Sequence, residues 1–302
     1  MGPDGRSLIT SVGITQRSVW LHEPSGERQI SLEGYAYFPF ISADGQKVTF
    51  RVTSGVGTGQ SPSELWVADV RSGRSQRLFP GQLISGYDLS KDDRVVAAVR
   101  EESGRSTVWL AWLDGREAPR PIPQAEGDNP RFATGGVIVF RVADGKTAAM
   151  YRIKEDGTNR RRWFEVASSV FGTMSPDGEW LSSITADNAT MSLFSDKAEV
   201  RVFPYSSSTR MRWTFDGKRP YLSAQYGQAS AFGVGRTFVL PMAKDSVLPM
   251  IPPGGFKDEA EIAAMPGVES IPYGDVALAS TPGVYAFSRI TATRNLYRIP
   301  LR

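Results

Sequence analysis

The sequence contains no cysteine and one histidine, His22. Without cysteine there can be no disulfide, no thiolate metal site and no thiol nucleophile. With one histidine, metal sites that need several imidazoles fail by counting. A Ser–His–Asp triad would have to use His22 as its base. His22 follows Trp20-Leu21 on a predicted strand and precedes Glu23-Pro24, the setting of a histidine at a strand edge. No Gly-x-Ser-x-Gly elbow accompanies it. No apolar run approaches the ~20 residues of a membrane helix, so the chain has no segment for direct membrane insertion. The opening Met1-Gly2-Pro3-Asp4-Gly5-Arg6 lacks the apolar stretch of an export signal. Excess charge is also slight, a net +3 over 302 residues, which argues against nucleic acid as a partner in the absence of a clustered basic stripe.

What the chain has in quantity is turn residues, 30 Gly and 20 Pro, as an all-β fold requires. They recur in phase. A Ser-x-Asp-Gly turn stands at Ser42-Ala43-Asp44-Gly45 and Ser175-Pro176-Asp177-Gly178. Variants stand at Gly2-Pro3-Asp4-Gly5, Ser90-Lys91-Asp92-Asp93, Thr134-Gly135-Gly136, Thr214-Phe215-Asp216-Gly217 and Thr281-Pro282-Gly283. The Asp-equivalent positions 4, 44, 92, 135, 177, 216 and 282 lie 40, 48, 43, 42, 39 and 66 residues apart. Each turn is followed by a β-rich run such as Lys47–Phe50, Arg94–Val99 or Val137–Phe140. A second strand comes next, often with a central aromatic (Trp20, Trp66, Trp109, Tyr151, Tyr297), then another turn and a short polar strand. The strand before each turn, for example Phe38–Ile41 or Gly86–Leu89, is expected innermost.

Four short strands at a period near 43 residues mark a propeller blade. The expected fold is all-β: a single β-propeller domain, 1–302, of about seven four-stranded blades, with six or eight as alternatives. Approximate blades are 1–34, 35–81, 82–125, 126–167, 168–206, 207–253 and 268–302, with an insertion at 254–267. The first unit lacks its inner strand and the last its outer one. We therefore expect a propeller incomplete at its N-terminus, part of a longer protein. Within the insertion, Asp258–Met265 is the one good helix candidate, with acids where a helix dipole favours them. Ser223–Gly235 is expected to be a long loop.

Ser-Pro-Asp-Gly followed by a β run, and Leu65-Trp66-Val67-Ala68-Asp69, resemble the TolB-like, WD-type propeller repeat. The similarity extends over nearly the whole chain and includes C-terminal propeller regions of bacterial membrane serine/threonine kinases. It implies a bacterial scaffold and an extracytoplasmic, periplasmic setting. It supplies no catalytic residue, because the matched Asp-Gly positions are architectural.

Other motifs carry little chemistry. Gly55-Val56-Gly57-Thr58-Gly59 lacks the Lys-Ser/Thr of a P-loop and reads as a hairpin loop. An oxygen-ligand structural Ca2+ site drawing on Asp44, Asp69, Asp88, Asp92 or Asp177 stays open, although no dense Asp-x-Asp-x-Asp-Gly run is present; no other cofactor is expected. The sharpest charge feature is Arg160-Arg161-Arg162-Trp163. It suits an acidic or polar partner, and it also suits a solvated strand edge whose charges deter aggregation, the stronger of the two readings. The expected function is non-enzymatic: a scaffold or sensor that binds a protein partner or small ligand on a propeller face. The alternatives are a lyase, lactonase or glycosidase working through channel carboxylates and a metal, and a regulatory propeller serving a peptidase or kinase catalytic domain elsewhere.

Overall fold

A computed structural model describes residues 7–32, 34–54, 62–101, 103–144, 147–166, 171–184, 190–204, 210–225 and 235–300. Strands β1 (Ser7–Glu23) and β2 (Gly26–Gln29) open the chain. Blade I follows as β3 (Tyr35–Ile41), β4 (Lys47–Thr53), β5 (Glu64–Asp69) and β6 (Ser75–Arg77). Blade II comprises β7 (Ile84–Leu89), β8 (Arg94–Arg100), β9 (Ser106–Trp112) and β10 (Arg120–Glu126). Blade III has β11 (Asp128–Phe132), β12 (Val137–Asp144), β13 (Thr147–Lys154) and β14 (Arg161–Val166). Blade IV has β15 (Phe171–Met174), β16 (Leu181–Ile184), β17 (Thr190–Phe194) and β18 (Glu199–Pro204). Blade V has β19 (Arg210–Trp213), β20 (Pro220–Gln225), β21 (Gly235–Val239) and, after helix α1 (Glu259–Ala264), β22 (Glu269–Ile271). The chain then runs through β23 (Val276–Leu278) and β24 (Tyr285–Pro300).

The last sheet has the order β2-β1-β24-β23, so the propeller has six blades rather than seven. The two partial repeats at the ends of the sequence are halves of one blade, VI. Its inner strands come from the C-terminal part and its outer strands from the N-terminal part. Counting them separately inflated the expected number by one. The pairing of β1 with β24 runs from His22↔Tyr285 out to Ser7↔Pro300. Its outer part forms a ribbon that exposes Leu296, Tyr297 and Ile299.

The apolar residues fall into one cluster for each contact between neighbouring blades. Val19, Leu21 and Ala286 of blade VI meet Val48 and Phe50 of blade I. Leu65 and Phe79 meet Tyr87 and Val95 across blades I and II. Val96 and Leu110 meet Ile138 and Phe140 across blades II and III. Blades III and IV, IV and V, and V and VI are joined in the same manner. A blade is thus covered on both faces. That is why β4 and β8 are buried through their centres, with no alternation of buried and exposed positions.

The insertion carries the expected helix. Asp258 caps it by accepting the Glu261 N–H at 2.9 Å, and Glu259 and Glu261 occupy its first turn. Ile262 and Phe256 pack into the cluster between blades IV and V. The Phe256 N–H donates to the Val202 carbonyl at 2.9 Å, so the insertion covers the outer edge of blade IV. The expected loop Ser223–Gly235 begins and ends in strand, in β20 and β21; residues 226–234 lie outside the described set, as do Gly2–Gly5 and Gly55–Gly59.

Candidate functional site: the central channel

The repeated turns gather at one mouth of the channel, and their chemistry is local. Ser42 Oγ donates to Asp44 Oδ1 at 2.6 Å and accepts the Lys47 N–H at 2.9 Å. Ser90 does the same with Asp92 and Arg94, at 2.5 and 2.9 Å. Thr214 repeats the pattern with Asp216 and Arg219, at 2.5 and 3.2 Å. Ser175 also donates to Asp177 and accepts the Trp180 N–H. Gly45, Gly178 and Gly217 take φ of +72°, +77° and +72°, the left-handed region glycine tolerates. In the second repeat Asp93 occupies the glycine position at φ +61°. Burial works against ionisation of Asp44, Asp92 and Asp216. The Ser or Thr hydroxyl, neighbouring charges and N–H groups together outweigh it and hold each carboxyl below the ordinary range. Burial, and then the nearby Asp44, push Asp93 upward. These carboxylates close turns.

Inside the ring of turns lies a funnel of about 330 Å³. Phe40, Phe132, Met174, Trp213 and Phe215 give it apolar walls; Lys91, Asp92 and Arg94 are among its charged lining, and Asp88, Arg212 and Tyr221 also line it. Asp88 Oδ2 accepts the Phe132 N–H at 2.9 Å and so ties blade II to blade III. Burial raises its pKa, opposed by Arg131 and the Phe132 N–H. Asp275 does the same work between blades VI and I, accepting the Phe38 N–H at 2.8 Å and the Ser288 hydroxyl at 2.6 Å. Among the described residues, no three His, Asp or Glu side chains converge as a metal-binding group.

Arginine dominates the deeper channel. Arg51, Arg131 and Arg212 are buried. Their hydrogen bonds include ones to neutral oxygens: Ser63 Oγ and the Ile84 carbonyl for Arg51, Gly172 and Pro130 carbonyls for Arg131, and Pro39 and Val276 carbonyls for Arg212. Arg210 and Arg212 rest on two aromatic rings of β3. Arg210 Cζ lies 3.6 Å from the Phe38 ring centroid, and Arg212 Cζ lies 4.4 Å from that of Phe40. Phe38 holds φ +53°, an uncommon conformation for a bulky side chain. It is fixed there by Asp275 on its N–H and by the Tyr87 hydroxyl, which donates to its carbonyl at 2.7 Å. Sequence reasoning singled out none of these arginines. They are spaced by the blade repeat and look like isolated strand residues until the ring brings them together.

Other candidates lie elsewhere. Arg161, Arg162 and Trp163 are on β14, the outermost strand of blade III, and Arg160 immediately precedes it, far in the topology from the channel. Arg160 Cζ sits 4.1 Å over the Tyr151 ring, Arg162 pairs with Glu165 at 2.5 Å, and Trp163 is stacked by Arg152 at 3.8 Å. The three arginines are exposed, as on a solvated edge. His22 stacks on Tyr285 at 4.5 Å, and its Nδ1 lies 3.3 Å from Glu27. Of the aspartates considered for Ca2+, only Asp88 is buried at the channel; Asp69 accepts the N–H and hydroxyl of Ser72 in a surface turn.

No family model matches the chain, and no curated protein does. Solved structures do. A putative TolB from Agrobacterium tumefaciens superposes with a TM-score of 0.59 at 13% identity, over 92% of this chain and 99% of that one. TolB from Acinetobacter baumannii gives a TM-score of 0.55 at 14% identity, over 74% of this chain; this chain spans only 61% of that protein's length. An oligogalacturonate lyase in complex with manganese gives 0.50 at 15% identity, over 79% and 72%. At such identities the likeness concerns architecture, so the neighbours' activities stay with the neighbours. The protein is a six-bladed β-propeller with the TolB-like fold.

Proposed function

We propose that the protein is a non-enzymatic binding module whose recognition surface is the turn-lined mouth of the channel, and that it receives an extended segment of a protein partner there. The funnel carries this reading: it is concave, walled by aromatics from several blades and rimmed by charge, the composition of a recognition pocket. Phe215, on a turn of blade V, packs against the cluster shared by blades I and II and so reaches across the mouth. The buried acids argue against the lyase-type alternative, because Asp88 and Asp275 both accept backbone N–H groups that hold blades together. An extracytoplasmic setting is part of the same proposal and rests on the TolB likeness.

The lack of native cysteine makes the test clean, since any introduced thiol is unique. Lys91→Cys places one at the funnel, and Arg116→Cys places one on an exposed turn of blade II away from it. Each is labelled with a benzophenone maleimide and irradiated in an extract of the source cells. The proposal expects a discrete cross-linked partner from Lys91→Cys that Arg116→Cys does not give. Equal labelling from both positions, or none from either, contradicts it.

A further inference from the structure

Below the funnel the described residues bring several arginines close together. Arg17, Arg51, Arg131, Arg210 and Arg212 act electrostatically there on one another or with Asp88, Asp128 and Asp275. Arg17 and Arg51 approach the Tyr37 ring, their Cζ atoms 5.6 and 5.3 Å from its centroid. Arg210 stacks on the adjoining Phe38.

Two buried polar atoms at this point make no hydrogen bond among the described residues. Arg210 Nε is buried and makes no hydrogen bond. The Tyr37 hydroxyl, on a side chain 1% exposed, makes none either. The Tyr37 and Phe38 rings touch, 4.9 Å between centroids, so the Tyr37 ring adjoins the ring on which Arg210 lies. Burial, and then repulsion from Arg212, lower the Arg210 pKa to about 9, with Asp275 the carboxylate that opposes the fall. Arg210 therefore remains a cation at neutral pH. Arg210 and Arg212 are two residues apart on β19, about 7 Å along the strand, and Arg212 lines the funnel. Arg210 therefore lies one strand repeat from a residue of the funnel wall.

We propose that the channel binds a small oxyanion, a carboxylate or phosphate group, held by Arg210 and the Tyr37 hydroxyl within the field of the surrounding arginines. A guanidinium and a phenol O–H are donors suited to such an anion. The left-handed Phe38 fits the same purpose: local strain is retained where it positions a functional group, and here it sets the ring on which Arg210 lies. The site does not depend on the partner reading; an anion can occupy it whether or not a protein docks at the mouth.

The test is a titration of the purified protein with inorganic phosphate and, separately, with malonate, followed by melting temperature and calorimetry against sodium chloride at matched ionic strength. The two anions distinguish a phosphate site from a carboxylate site. At least one should bind saturably and raise the Tm beyond the chloride control. Arg210→Met should weaken that binding at least about tenfold, as loss of a charged hydrogen-bonding partner does. Without added anion, the same variant should melt no lower than the parent, because Arg212, Arg131 and Arg51 repel the charge removed. Tyr37→Phe should weaken binding severalfold. Partner capture is scored by cross-linking and anion binding by titration of the unlabelled parent, so a failed partner capture and a failed anion titration are separate results. No saturable binding of either anion, or unchanged affinity in Arg210→Met, overturns the proposal. Should Arg210→Met not fold, Arg210→Lys and Tyr37→Phe decide: weaker binding in both upholds the site, and parental affinity in both overturns it.

Discussion

Asp275 bears more of the structure than its place in the sequence suggests. It accepts the N–H of the left-handed Phe38 and the Ser288 hydroxyl, and it is the carboxylate facing Arg17 and Arg210. Removing it strands a buried donor and deepens the excess of positive charge. Asp275→Ala should lower stability by about 3–5 kcal/mol, measured by denaturant unfolding; a loss below ~1 kcal/mol would contradict the role given to it. Asp93 presents the opposite case. It stands at φ +61° where the other repeats have glycine, and its carboxyl faces Asp44 and Asp92. Asp93→Gly should stabilise by about 1 kcal/mol, seen as a Tm ~2 °C higher.

At the scale of the element, the turn is the unit that could be read in advance. Ser42, Ser90, Ser175 and Thr214 use one hydroxyl to hold both an aspartate and a backbone N–H, which is why spacing alone revealed them. The same chemistry predicts acid sensitivity. Asp44, Asp92 and Asp216 have folded-state pKa values below their unfolded ones. Their contribution is therefore complete above the unfolded pKa, near 4, and is lost as pH falls through the folded values. Melting temperature should decline below about pH 4, and Asp44→Asn, Asp92→Asn and Asp216→Asn combined should flatten that decline. An unchanged acid limb would show that the turns carry no such linkage. The helix of the insertion was equally legible, from its Asp258 cap and first-turn acids. The arginine channel was not. Arg51, Arg131, Arg210 and Arg212 come from three different blades, with no pattern in sequence that separates them from exposed strand arginines.

For the whole molecule, local patterns gave the blade and its period, but closure is a long-range event. Nothing near Ser7–Glu23 indicates that its partner lies at Tyr285–Pro300, so two half-blades were counted as two blades. Strands from both ends of the chain pair within blade VI and so complete the ring between blades V and I. A variant lacking residues 1–31 should lose the outer half of blade VI and its share of the cluster against blade I, and should fail to give a folded monomer by circular dichroism and size-exclusion chromatography. A folded, monomeric product would refute this view of closure. The central claim concerns the mouth of the closed ring. It is tested most directly by the ratio of cross-linked partner from Lys91→Cys to that from Arg116→Cys, measured with and without Phe215→Ser. The account predicts a ratio well above one that falls toward one when Phe215 is removed. A ratio near one in the parent, or one unmoved by Phe215→Ser, would contradict it.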